Sequence, residues 1–217
     1  VGNGSTELIS LFIQATKPKK VCMLGPTYSE YEREIAISGG QLEYYFLKEE
    51  RGFEFDFAEF KKTISEGTDL FIICNPNNPT STAILDVQMK KILEYCAVNQ
   101  IFVMIDETYV EFAEAPERIT ALPFTAEYSN LIILRGISKF FGAPGLRLGY
   151  AVCSNQEIFK HMEEKKNPWS INSLAAVAGE IIFRDSDYIK DTRQYISAER
   201  QRICERLSVS SHLKYYS

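Results

Sequence analysis

Residues 131–150 read Leu-Ile-Ile-Leu-Arg-Gly-Ile-Ser-Lys-Phe-Phe-Gly-Ala-Pro-Gly-Leu-Arg-Leu-Gly-Tyr, and their order decides which fold to expect. The run Leu131-Ile132-Ile133-Leu134 is too short and too uniformly apolar for a surface helix, and Gly136, Gly142, Pro144 and Gly145 exclude a long one. Lys139 is therefore expected at a strand end. Further on, Arg147 opens a second apolar run through Val152, which keeps a fixed positive charge within loop reach of the lysine. An amine nucleophile beside an anion clamp suggests a Schiff-base lysine serving a phosphorylated aldehyde cofactor. Taken alone, Ser138-Lys139 is more often a solvated pair on a turn. The rest of the chain decides between the two.

A chain of 217 residues can bury a sizeable core as one α/β domain or a large piece of one. Its 24 Lys and Arg against 29 Asp and Glu give a net charge of −5 with no basic block, which argues against nucleic acid and against an anionic membrane surface. Five cysteines, an odd number without a CxxC pair, read as reduced core residues of a cytoplasmic protein. Two histidines leave almost no material for a zinc site or a histidine triad, so no metal is expected. There is no apolar stretch of bilayer length and no signal-peptide pattern at the start. The chain opens without Met at a turn-like Val1-Gly2-Asn3-Gly4 and stops at Tyr216-Ser217, where a strand is expected to begin; a fragment of a longer protein is the expectation.

Taken in order, a glycine turn leads into Leu8, Ile9, Phe12 and Ile13 at helical spacing, with Ser5 or Thr6 as the N-cap. Such a helix start offers free N–H groups and a positive dipole end to a phosphate, although an ordinary capped helix reads the same way. Strands are expected over 20–26, 41–47, 69–74 and 101–105, alternating with helices over 27–37, 57–64 and 86–98. Tyr28 lies at the first strand-to-helix turn and is either a ligand wall or packing. The third of these strands runs into Asn75-Pro76-Asn77-Asn78-Pro79-Thr80, a loop stiffened by two prolines that carries amide side chains. The fourth ends in Asp106, Glu107 and Tyr109, and acids at the exit of an apolar strand are costly unless used or paired. Helices over 155–164, 171–183 and 186–207 follow the lysine stretch.

The segments Asn75–Thr80, Asp106-Glu107-Thr108-Tyr109 and Ser138-Lys139 with Arg147 resemble the motifs of fold-type I pyridoxal-phosphate enzymes of aminotransferase class I/II. The resemblance keeps order and spacing over nearly the whole chain. It is nearest to the histidinol-phosphate aminotransferase and threonine-phosphate decarboxylase branch, and Pro168-Trp169-Ser170-Ile171-Asn172 with the wording of 138–150 leans toward the decarboxylase side. The implied fold is α/β, a mixed, mostly parallel sheet flanked by helices. Residues 1–217 would be the large cofactor domain, lacking an N-terminal arm and a C-terminal small domain, of an enzyme that works as a homodimer.

The resemblance also implies roles. Lys139 would hold pyridoxal 5′-phosphate as a Schiff base and then move the proton at the substrate Cα. Asp106 would face the pyridine nitrogen, Asn78 and Tyr109 the phenolic oxygen, and Tyr28 the ring face. Ser5 and Thr6, with Ser138 and Arg147, would hold the phosphate. Gly136, Ser81 and Thr108 depart from the usual Ser or Thr, Gly and Ala. The implied activity is amino transfer to or from an amino acid or phosphorylated amine, the alternative is a phosphothreonine-type decarboxylase, and a third reading is the aminotransferase-like sensor domain of a transcription regulator.

Overall fold

The computed structural model describes residues 1–216. Six strands form one sheet: β1 (Lys20–Gly25), β2 (Gln41–Phe46), β3 (Leu70–Cys74), β4 (Phe102–Asp106), β5 (Leu131–Gly136) and β6 (Gly149–Cys153). Their order across the sheet is β2-β1-β3-β4-β5-β6, parallel except for β6, which runs antiparallel to β5. This is the mixed, mostly parallel α/β sheet expected from the sequence.

Helices cover both faces, and the period of two along each strand sorts the side chains between them. On one face Phe71, Ile73, Val103, Ile105, Leu131 and Ile133 pack with α3 (Phe57–Thr63) and α4 (Asp86–Val98). On the other, Leu70, Ile72, Met104, Ile132 and Leu134 pack with α1 (Gly4–Thr16), α2 (Glu30–Ser38) and α5 (Gln156–Lys165). Strands buried on both sides must be apolar throughout, which is why these runs carry no polar alternation. Helices α6 (Ser173–Ile182) and α7 (Ser186–Ser208) follow. Residues 111–130 hold only short 3-10 turns. No strand includes Tyr216, and Ser217 lies outside the described residues. Among the described residues, no helix is long and apolar enough to cross a membrane.

Two features gather the strand ends. From β1 the chain crosses outward to β2 and then returns to β3 on the other side of β1, and a reversal of this kind opens a crevice at the carboxyl ends of the strands. The second is the antiparallel β6. Its first residue, Gly149, pairs with Gly136 at the end of β5 and also forms a two-way bridge with Gly2, at 2.9 and 3.0 Å. That bridge pins the start of α1 beside the lysine loop.

Candidate active site

The start of α1 differs from expectation in one detail. Asn3, not Ser5 or Thr6, holds the cap position; its side chain caps no N–H of the first turn, and its backbone N–H donates to Glu7 Oε2 at 2.6 Å. Ser5 and Thr6 fall in the first turn, where N–H groups have no helical acceptor. The strand beside them comes very close: a Cβ at Gly149 would lie 2.6 Å from Ser5 N, and one at Gly4 would collide with the Arg147 guanidinium. Arg147 is held there by Asn3 O at 3.4 Å and Pro144 O at 3.2 Å. Its own φ of 58° is left-handed, a conformation that costs a non-glycine residue about 1–2 kcal/mol. Across the same gap, a Cβ at Gly136 would sit 3.8 Å from Ser5 Oγ and 3.9 Å from Ser138 Oγ. First-turn N–H groups, two hydroxyls and a guanidinium thus meet in one place, a seat for a multiply charged anion.

At the end of β4, Asp106 is 5% exposed and held on both oxygens. Oδ1 accepts from Thr108 N at 2.9 Å and Thr108 Oγ1 at 2.5 Å, and Oδ2 accepts from Tyr31 Oη at 2.8 Å. Thr108 therefore orients the acid. Tyr31 was not singled out in the sequence; it lies three residues after Tyr28, and the two rings meet edge to face at 5.6 Å. Tyr28 itself is 41% exposed, so its ring is not part of the core.

The stiff loop after β3 delivers Asn78, whose Nδ2 donates to Tyr109 Oη at 3.4 Å. Burial, then the Cys74 thiol and Asp106, push the Tyr109 hydroxyl up, so it remains a donor at neutral pH. Ser81 carries a φ of 60°, a left-handed state that glycine takes freely. In the same region the buried Thr27 Oγ1 and Asn77 Oδ1 have no hydrogen-bond partner among the described residues. Asn78 and Tyr109 also line a cleft of about 980 Å³ with Phe112, Arg118, Arg193 and Ile203, the upper end of the size range of small-molecule sites.

Glu107 separates from Asp106 in function. It is 0% exposed, with Oε1 taken by Ala121 N at 2.6 Å and Oε2 by Thr120 Oγ1 at 2.8 Å and Arg135 Nε and Nη2 at 3.0 and 2.7 Å. This carboxylate is fully consumed by structure. Cys74 is also inert, since burial raises its thiol to about 12. Lys139, by contrast, is exposed.

The model of the family "Aminotransferase class I and II" matches residues 1–216. The chain belongs to this family. It is 39% identical over 213 residues to a putative threonine-phosphate decarboxylase of Caldanaerobacter subterraneus subsp. tengcongensis, covering 98% of this chain and 58% of that protein. It is 35% identical over 219 residues to the histidinol-phosphate aminotransferase of Clostridium novyi, covering 100% and 59%. The crystal structure of the histidinol-phosphate aminotransferase from Clostridium acetobutylicum superposes with a TM-score of 0.88 at 32% identity, over 95% of this chain and 60% of that one. The chain therefore spans about six-tenths of the length of these relatives.

Proposed function

We propose that this chain is the cofactor-binding large domain of a pyridoxal-phosphate-dependent aminotransferase that acts on an amino acid or phosphorylated amine, in the manner of histidinol-phosphate aminotransferase. The observation that carries the reading is the convergence of the α1 start with Arg147 at Gly4, with Gly149, and with Ser138 beside Gly136, next to Lys139 and at the same end of the sheet as Asp106. These residues fit the cofactor: the glycine-lined seat suits its phosphate, the doubly anchored acid suits its ring nitrogen, and the exposed Tyr28 ring suits its flat face. When bound, pyridoxal phosphate supplies an aldehyde that condenses with amines and a ring that withdraws electrons from the substrate Cα.

The residues then divide the work. Ser5 and Thr6 N–H groups, the Ser138 hydroxyl and the Arg147 guanidinium hold the phosphate. Lys139 is the amine that anchors the cofactor and, when free, moves the proton at Cα. Asp106, aimed by Thr108 and Tyr31, keeps the ring nitrogen protonated; Asn78 and Tyr109 donate to the phenolic oxygen. The cleft beside Asn78 and Tyr109 receives the substrate. We further propose a homodimer and a cytoplasmic location, and a small domain in the full-length protein; only the last is supported by the six-tenths coverage of the relatives. Decarboxylation of a phosphorylated amino acid is the second reading, favoured by the 39% identity to the Caldanaerobacter protein.

Borohydride reduction of the cofactor-loaded full-length protein should leave the cofactor's mass on Lys139, and a label on another lysine overturns the assignment. Histidinol phosphate with 2-oxoglutarate should yield glutamate. Stoichiometric carbon dioxide from O-phosphothreonine, without glutamate, replaces the first reading by the second.

A further inference from the structure

The side chain that follows the candidate lysine is gripped from outside its own loop. Phe140 is 2% exposed, and its ring meets Phe112 and Phe141 edge to face, each at 5.2 Å. Two further contacts come from α7, a helix with no buried residue of its own. Tyr188 Oη donates to Phe140 O at 3.1 Å, and the Arg193 guanidinium lies 5.9 Å from the Phe140 ring centroid. The same Arg193 donates Nε–H to Glu111 O at 2.9 Å.

Glu111 belongs to the turn that leaves β4 after Tyr109, and its carboxylate accepts from Arg135 Nη1 at 3.4 Å. Arg135 in turn holds the buried Glu107, the residue after Asp106. One guanidinium thus ties the turn carrying Asp106 and Tyr109 to the loop carrying Lys139. The loop's internal hydrogen bonds, Gly142 N–H to Lys139 O at 3.0 Å and Ala143 N–H to Ile137 O at 3.4 Å, are local, and its own link to that turn is the apolar Phe112–Phe140 ring contact, which sets no direction as a hydrogen bond does.

We infer that Tyr188 and Arg193 of α7 are positioning residues for Lys139, fixing the distance between the lysine's amine and the Asp106–Tyr109 turn by clamping Phe140. The inference rests on the reading of Lys139 as the cofactor-holding amine. Its physical basis is that a proton-moving group displaced by about 1 Å can cost on the order of a hundredfold in rate, whereas two contacts on a half-exposed helix contribute little to folding. Tyr188 is 40% exposed, so its replacement leaves no hole in the core.

The test uses the full-length protein loaded with pyridoxal 5′-phosphate. Tyr188→Phe should lower kcat about threefold to tenfold, the weight of one lost hydrogen bond, with the KM for the amino donor within about twofold. Arg193 also lines the cleft assigned to the substrate, so the split decides: Arg193→Met should lower kcat about tenfold or more with the KM for the amino donor within about twofold, and Arg193→Lys, which keeps a cation near the ring, should recover part of the loss. In both main variants the visible circular dichroism of the bound cofactor should weaken, because a looser lysine holds the ring less rigidly. Tyr195→Phe, at a side chain 69% exposed on the same helix, is the control that should change nothing. If Tyr188→Phe and Arg193→Met both keep wild-type kcat and dichroism, or raise only KM, while the borohydride label maps to Lys139, the inference is wrong and the proposed function stands. A label on a different lysine removes both.

Discussion

Tyr31 donates its hydroxyl hydrogen to Asp106 Oδ2 at 2.8 Å, with both side chains cut off from solvent. Burial first, and the Asp106 charge second, push the Tyr31 pKa well above the usual range for tyrosine, so the hydroxyl stays a donor at any working pH. Tyr31→Phe keeps the ring and removes the donor from a carboxylate. The expected cost is about 1.5–3 kcal/mol of stability, read from denaturant melts, together with weaker cofactor binding in a fluorescence titration. The sign of the pH effect follows from the raised folded-state pKa. This contribution is complete below the unfolded value of about 10 and declines as pH rises beyond it, so the variant's stability should fall less steeply than wild type above that pH. Equal alkaline slopes would assign the raised pKa no part in stability.

The Glu107–Arg135 pair should behave in the opposite way to an exposed ion pair. Glu107 is 0% exposed and accepts four hydrogen bonds, two of them from Arg135. Arg135→Met strands a buried carboxylate and is expected to cost about 3–5 kcal/mol. Glu107→Gln combined with Arg135→Met removes both charges and should lose less than the single arginine variant. Melting curves of the two proteins decide it: a double variant no more stable than the single one would mean that the desolvated charge is not the source of the loss.

Most of the architecture was legible because its cause is local. The all-apolar runs at 70–74, 102–105 and 131–134 can only be strands buried on both faces, and the stripe Met89, Ile92, Leu93, Cys96 can only be one side of a helix. The candidate site residues stand in the sequence as motif members at strand ends. What the sequence hid are the partners brought in by topology. Tyr31 meets Asp106 across 75 positions and Gly2 meets Gly149 through an antiparallel turn-back, and no spacing rule links either pair. The assignment of Glu107 to structure needed Arg135, which reads in the sequence as the polar end of an apolar strand. Nor does the sequence show that the Thr108 hydroxyl donates to Asp106 Oδ1.

Ser81 gives a prediction on the backbone alone. Its φ of 60° is left-handed, its N–H donates to Asn77 O at 3.0 Å and its side chain is exposed. Ser81→Gly keeps the loop bond and removes the Cβ penalty, so stability should rise by about 1 kcal/mol, less what glycine adds to the freedom of the unfolded chain. Thermal melts of the two proteins measure the balance. A drop in melting temperature would show that the unfolded-state entropy outweighs the strain.

The two glycines that face each other across β5 and β6 should respond to a side chain in opposite senses. A Cβ at Gly136 meets Leu148 O at 3.6 Å and then the Ser5 and Ser138 hydroxyls at 3.8 and 3.9 Å, all ordinary contacts. Gly136→Ser therefore fits without displacement and brings a third hydroxyl to the anion seat. A net hydrogen bond of about 1 kcal/mol corresponds to cofactor bound about fivefold more tightly. At Gly149 the same addition meets Ser5 N at 2.6 Å and Gly4 C at 2.7 Å, both backbone atoms that cannot turn aside. Gly149→Ala must push the start of α1 away from the sheet, break the bridge to Gly2 and open the seat. Cofactor affinity should fall at least tenfold while the α4 side of the core, which packs on the opposite face, keeps its hydrogen-exchange protection. Equilibrium titration of the three full-length proteins with pyridoxal 5′-phosphate separates the cases. Tighter binding by the serine variant with weaker binding by the alanine variant places the phosphate between these strands, and unchanged affinity in both would move the phosphate elsewhere.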